Sequence, residues 1–409
     1  MLIAENKHIS VQEECSNDVR ILVTGDLCPV ASVENDLLNG KGEHVFGDCF
    51  SELHDKDLSI TNFELALTCG GTAIDKCGPN LRANPDIMPE LKKAGFDVYS
   101  VANNHARDWG DETFLETLSH IEKSGARYAG GGSNALTAAV PLKMVVKGIP
   151  FAIVSISMHC DCDAGIDSPG VNAINLPYNT LEIVNAVKAG YKVIVIFHDG
   201  KEYIPFPSNR IQNYCHAFVD AGACAVIGHH PHIVRGMEIY KGSLIAYSLG
   251  NFLFPQLEGA ALPDPFWFQG MSVRLLINET GLSGVDVIPH KFNHASGKLE
   301  LMGDDEASSF LATVNRLNKI LMTKGENERY FSADCEQYTH YGENFKAFGN
   351  NMQTGNWSTE KQQQEAKVFN HFIKCNEHWD LLEAISRRKW HGVTDFPEDL
   401  QEIVKLLGR

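Results

Sequence analysis

Five short apolar stretches in this 409-residue chain each run into residues able to hold a metal ion or move a proton. Ile21–Gly25 leads to Asp26, and Leu58–Asn62 leads to Glu64. Val98–Ala102 leads to Asn103, Asn104 and His105. Val193–Phe197 leads to His198, and Cys224–Gly228 leads to His229, His230 and His232. A run that is apolar on both faces suits a strand in a sheet covered on both sides. In such sheets, ligand sites form beyond the carboxyl ends of the strands. One histidine at a strand end is usually structural. Five strand ends delivering Asp, Glu, Asn and His to one edge are read together as a site.

The segments between these strands carry a helical period and stop at glycine, as helices do where the chain turns left-handed. Asp86 is placed as the cap of a helix ending at Gly95. Phe114, Leu115, Leu118 and Ile121 share a face before Gly125. Thr180–Ala189 and Asn209–Ala221 are the next helices, closed by Gly190 and Gly222. Further strands are expected at 19–24, 58–62, 143–147, 150–156, 244–248, 271–277 and 283–289. Helices alternating with strands give an α/β layered fold from residue 19 to 292, turning mixed or antiparallel toward its end. Residues 1–18 are expected to form a tail. Residues 293–409 are expected to form a helical extension, with helices around 310–321, 359–388 and 398–407 and a loop over Gly342–Trp357. Loops 65–85, 157–180 and 253–270 are expected to shape the pocket.

Lys and Arg number 35 against 52 Asp and Glu, a formal charge of −17. That excludes nucleic acid and an anionic membrane surface as the main partner, because both select for basic patches. It leaves room for an anionic substrate, since a bound metal inverts the local charge. No apolar run approaches the roughly 18 residues of a membrane span. Met1–Asp18 shows no basic start followed by an apolar stretch, so neither a secretory signal nor a membrane anchor is read there. The eleven scattered cysteines read as reduced thiols of a cytoplasmic protein. Cys160 and Cys162 form a C-x-C pair beside His159, Asp161 and Asp163, but no second pair lies at zinc-site spacing.

Imidazole and carboxylate donors together suit Zn, Mn, Fe or Co better than Ca or Mg. The strand ends offer more donors than one tetrahedral ion uses. Two divalent transition-metal ions about 3.5–4 Å apart, sharing a carboxylate, would use them. His105 suits proton transfer because an imidazole titrates near neutral pH.

Several motifs together resemble one family. They are Gly25–Asp26, Asn62–Phe63–Glu64, Ala102–His105 followed by Asp108–Gly110, and His198–Tyr203 (H-D-G-K-E-Y). The G-H-H-P-H run at Gly228–His232 and the Y-S-L-G-N-F run at Tyr247–Phe252 complete the set, with Leu81–Ala83 and Tyr128–Gly132 as lesser matches. The set is similar to the capsule-synthesis CapA family, the poly-γ-glutamate branch of the calcineurin-like metallophosphoesterases. The resemblance implies a four-layer α-β-β-α sandwich with a two-metal site. By motif position, Asp26 would bind one ion and Glu64 would bridge. Asn104 and His198 would bind the second ion, and His230 and His232 would be divided between them. His105 would protonate a leaving group or steady the transition state. Arg82, Glu202 and Tyr203 would face the substrate. His229 and Asn251 would support the ligands. Cys28 stands where the broader superfamily has a metal histidine, and is read as a small buried thiol. Asp199 stands where this branch often has tryptophan. Gly130–Gly132 reads as a plain turn.

The resemblance implies a metal-dependent hydrolase of a phosphoester or, second in order, of a glutamyl or peptide amide. Two alternatives stay open: a peptide-modifying enzyme that moves a proton beside a carbonyl, and a non-catalytic accessory protein of polymer synthesis. The expected partner is a small anionic molecule or a peptide.

Overall fold

The computed structural model describes residues 3–4, 7–257, 265–339, 341–355 and 357–407. Part of the expected loop 253–270 (residues 258–264), residues 1–2 and 5–6 of the tail, and Asn356 lie outside them. In chain order the strands of the two large sheets begin with β1 (His8–Ser10), β2 (Val19–Leu27), β3 (Leu58–Phe63), β4 (Val98–Ser100) and β5 (Arg127–Ala129). They continue with β6 (Leu142–Val146), β7 (Ile149–Ser157), β8 (Lys192–His198), β9 (Ala223–His229), β10 (Met237–Tyr240) and β11 (Ser243–Ala246). The last are β12 (Asn251–Leu253), β13 (Gln269–Asn278), β14 (Gly281–Asn293) and β15 (Lys298–Leu301).

One sheet runs β1-β14-β13-β2-β3-β4-β5, with β12 against β2 and β15 against β14. Strands β2 to β5 and β12 are parallel, and the β13–β14 side is antiparallel. The other sheet runs β10-β11-β9-β8-β7-β6, parallel through β7, β8, β9 and β11. The mixed character expected toward the chain's end is therefore present in the β13–β14 hairpin.

Period-two alternation sets the layers. Ile194 and Ile196 of β8 pack with Val23, Ile60 and Val98 in the core between the sheets. Val193, Val195 and Phe197, the alternate residues, pack outward with Ile183 and Phe218 of two helices, α4 (Leu176–Lys188) and α5 (Asn209–Asp220). On the other side Leu22 and Tyr99 pack outward with Val33, Leu91 and Phe114 of α1 (Ala31–Leu38), α2 (Met88–Ala94) and α3 (Asp111–Lys123). The result is a four-layer α-β-β-α sandwich.

The C-terminal region is helical: α6 (Asp304–Met322), α7 (Glu326–Cys335), α8 (Tyr341–Thr354), α9 (Glu360–Lys374), α10 (Asn376–Trp390) and α11 (Leu400–Leu406). Val314, Leu317, Phe331, Leu381 and Ile403 belong to the same apolar cluster as the inter-sheet core. Helices α6, α7, α10 and α11 are thus fused to the sandwich by burial.

Three local expectations fail. The glycine- and asparagine-rich stretch from Gly342 is a helix, α8, not a loop. Phe348 stacks on Phe369 at 3.7 Å and Phe345 lies parallel to Phe372, so tertiary packing overrides weak propensity. The helix expected over 359–388 breaks at Cys375, whose backbone is extended. The cap near Asp86 is Asn84, whose side chain accepts the Asp86 N–H. In addition, His8–Ser10 of the expected tail adds a strand to β14.

Candidate metal centre

Parallel register aligns the strand ends. Asp26 pairs with Asn62 and with Asn251, Asn62 pairs with Ser100, and His198 pairs with His229. Asp26, Glu64, His198, His229, His230 and His232 are all buried.

Their atoms form overlapping groups, each within 4.8 Å: Asp26, Glu64 and His232; Glu64, His198 and His230; Glu202, His230 and His232. Glu64 belongs to the first two, and its Oε1 lies 3.6 Å from His198 Nε2 and 3.8 Å from His232 Nε2. Asn104 Oδ1 lies 2.9 Å from His198 Nε2. The backbone at His230, His232 and Tyr203 is left-handed, with φ of 95°, 59° and 62°. Such strain in non-glycine residues gathers at functional sites, where the surroundings over-determine it.

Burial and mutual crowding set the electrostatics of these groups. Burial, then the neighbouring Asp26, pushes the Glu64 carboxyl well above its usual range. Burial also opposes the charge on Asp26, but His229, His232 and Asn62 hold its carboxyl below the usual range. Burial and crowding by His230, His229 and His232 push His198 well below neutrality, into the neutral form that binds metal. Among the described residues, Glu64 Oε1, His229 Nε2 and His230 Nδ1 are buried without a hydrogen bond. Buried polar atoms are rarely left so, and a divalent cation is the partner that oxygen and imidazole donors of this kind fit.

The remaining expected residues distribute unevenly. His105 Nδ1 lies 2.7 Å from Asp108 Oδ2, and burial, then Lys76, pushes its imidazole down to about 4. It lines a cavity of about 330 Å³ together with Asn104, His230, Glu202, Lys76 and Lys201. Asn251 Oδ1 is 3.0 Å from His232 Nδ1, and Asn251 Nδ2 donates to the Trp267 carbonyl. His229 Nδ1 is 2.9 Å from Asp26 Oδ1. Tyr203 is part-exposed, its ring 6.5 Å from His232 and 6.1 Å from Trp267. Cys28 is fully buried, and burial pushes its thiol well up. Arg82 is not in the cavity wall. Its guanidinium stacks on Trp109 at 3.8 Å in an exposed position, and the cations in the wall are Lys76 and Lys201. Asp199 faces Arg210 in a two-pronged pair at 2.6 and 3.0 Å. Among the described residues, no metal-capable group contains Cys160 or Cys162.

Sequence reasoning misses four contributors. Asn62 Nδ2 donates to Asp26 Oδ1 at 2.8 Å; the Asn62–Phe63–Glu64 motif marks the position but not this role. Lys76, from a loop without periodicity, pairs beneath His105 with Asp108 of the turn after β4; the Asp108–Gly110 motif marks the second position but not its role. Glu377 Oε2 lies 3.1 Å from His230 Nε2. An acidic residue in the first turn of a helix is ordinary, so nothing in the sequence marks Glu377.

The chain is 30% identical over 229 residues to the capsule biosynthesis protein CapA of Bacillus anthracis, covering 54% of this chain and 53% of that one. It is 33% identical over 180 residues to the PGA biosynthesis protein CapA of Bacillus subtilis, covering 43% and 47%. The chain thus spans about half the length of these relatives. A solved 5′-nucleotidase precursor from Thermus thermophilus overlaps it loosely, with a TM-score of 0.38 and 11% identity, over 74% of this chain and 60% of that one. The family model described as bacterial capsule synthesis protein PGA_cap matches residues 20–256, and the chain belongs to that family.

Proposed function

We propose that this protein is a dinuclear-metal-dependent hydrolase that acts on a small anionic phosphoester or, second in order, on a glutamyl or peptide amide. The observation that carries the proposal is the pair of buried donor groups sharing Glu64. Asp26, Glu64 and His232 would hold one ion; Glu64, His198 and His230, with Asn104, would hold the other. Bound divalent ions supply positive charge that polarises a substrate oxygen and acidifies water.

The chain's own residues do the rest. Asn251 holds His232 by its Nδ1, and Asp26 holds His229 in the same way. With its hydrogen on Nδ1, the His105 ring donates a hydrogen bond to Asp108 Oδ2, which fixes it in the cavity wall. Burial and Lys76 keep the ring neutral near pH 7, contrary to the sequence expectation of an imidazole titrating there, so His105 would act at the reacting centre by accepting a hydrogen bond at Nε2. Lys76 and Lys201 supply the positive wall that an anionic substrate needs. The eleven free cysteines support a reducing, cytoplasmic setting. Among the described residues, no helix is long and apolar enough to cross a membrane.

The test is metal analysis of the purified protein, paired with phosphoester and γ-glutamyl substrates assayed with Mn or Zn supplied. Close to two ions per chain and turnover of one substrate class are expected. Less than one ion and inertness toward both classes would sink the proposal. Deuterium uptake into a peptide without cleavage would instead select the proton-transfer alternative.

A further inference from the structure

The helix α10 lies outside residues 20–256, which the family model covers, yet it reaches the centre of the site. Two residues one turn apart anchor it, and residues three apart share a helix face. Asp380 accepts from Arg210 Nε at 3.0 Å and from Ser208 Oγ at 2.7 Å. Arg210 in turn clamps Asp199, the residue directly after His198. One turn earlier, the buried Glu377 uses both oxygens: Oε1 lies 3.3 Å from Lys201 Nζ, and Oε2 lies 3.1 Å from His230 Nε2.

An ionised carboxylate only accepts hydrogen bonds, so the nitrogen of His230 that faces Glu377 must carry the hydrogen. The other nitrogen, Nδ1, is then free to present a lone pair. It is the buried atom of His230 that has no hydrogen-bond partner among the described residues. His232 is held the opposite way round: its Nδ1 meets Asn251, and its Nε2 lies toward Glu64. A histidine that binds metal through one nitrogen commonly donates from the other to a carboxylate, which fixes the tautomer and the ring.

We propose that Glu377 is a positioning residue of the metal centre: it holds His230 as the tautomer whose Nδ1 is free to bind, so that the C-terminal helices complete a site the family region begins. This rests on the dinuclear reading above. Two measurements on the full chain test it. The first is zinc affinity, by competition with a chelating dye, for the wild type, Glu377→Ala, Glu377→Gln and Asp380→Asn. Loss of an orienting carboxylate commonly weakens binding by about 10–100-fold, and that loss is expected for Glu377→Ala. Asp380→Asn removes one charge from the same helix without touching a ligand and can keep its hydrogen bonds to Ser208 and Arg210, so it is expected to bind zinc nearly as the wild type does. Wild-type affinity in Glu377→Ala, or an equal loss in Asp380→Asn, would overturn the proposal.

The second measurement is imidazole nitrogen NMR of the metal-free wild type with labelled histidine, at a pH where His230 is neutral, assigned against His230→Gln. A protonated Nε2 and a bare Nδ1 are expected; the reverse tautomer overturns the proposal. This readout stands even where Glu377→Ala fails to fold, and Glu377→Gln then carries the affinity arm. A wild-type chain that takes up no metal would sink the dinuclear reading, while the nitrogen shifts would still decide whether Glu377 sets the tautomer.

Discussion

Gly25, directly before Asp26, is a position where adding one methyl group should harm both the fold and the site. Its backbone is not left-handed, so the requirement is space. A Cβ built there would lie 2.1 Å from the Gly250 carbonyl oxygen and 3.0 Å from the Phe252 nitrogen. Both obstacles are backbone, so no side chain can swing away. Strand β12 must move off β2, and the hydrogen bond from the Asp26 N–H to the Gly250 carbonyl, 3.1 Å long, is lost with it. Overpacking costs about 1–3 kcal/mol, and the lost hydrogen bond about 1 kcal/mol. Gly25→Ala should therefore destabilise the fold by about 2–4 kcal/mol. Unfolding entropy of about 2.1 cal/mol/K per residue over 409 residues converts 3 kcal/mol into a Tm lower by about 3–4 °C. Asn251, next along β12, orients His232, so metal affinity should fall as well. Gly303→Ala is the control, since nothing lies within 4 Å of its Cβ position. Thermal melts and metal competition on both variants are the assay. A Gly25→Ala protein that melts with the wild type and binds metal equally would refute the spacing argument.

Other perturbations separate the parts of the account. His230→Ala should lose metal, whereas His105→Ala should keep metal and lose rate; metal content and turnover measured together distinguish them. Arg210→Met strands the carboxylates of Asp199 and Asp380, the first fully buried. Breaking a buried pair in this way costs about 3–5 kcal/mol, read by urea unfolding, and a loss under 1 kcal/mol would mean the cluster is solvated. His8 Nδ1 lies 2.7 Å from Asp286 and its Nε2 lies 2.6 Å from Glu14. Burial opposes the charged ring, but these carboxylates outweigh it and hold His8 above its usual range. A raised imidazole stabilises the fold fully below its unfolded range near pH 6.5, and the gain fades as pH rises through the folded value. Amide protection on β1 should therefore fall from pH 6 to pH 9 beyond the intrinsic trend, and His8→Gln should abolish that excess.

What the chain reveals before folding depends on whether a feature is local. The strands show because apolar runs bounded by glycine are local, and their polar ends show because each donor directly follows its strand. The order of strands within two sheets, and the meeting of two carboxyl edges around Glu64, depend on pairing across long stretches of sequence and leave no local trace. Helix α8 was hidden because its stability lies in Phe345 and Phe348 stacking on α9, which outweighs Gly342 and Gly349. Arg82 matched a motif and has an ideal anion-binding shape, yet Trp109 takes its face. Glu377 looked like any acidic residue at a helix start. Its role depends on α10 lying over the strand ends, where Glu377 meets His230 across 147 residues of sequence.

The most direct test of the account is anomalous X-ray diffraction at the absorption edge of whichever metal co-purifies with the full chain. Two peaks are expected on the same rim, one among Asp26, Glu64 and His232 and one among Glu64, His198 and His230, with Glu64 reaching both. A single peak away from Glu64, or none after incubation with Mn and Zn, would contradict it.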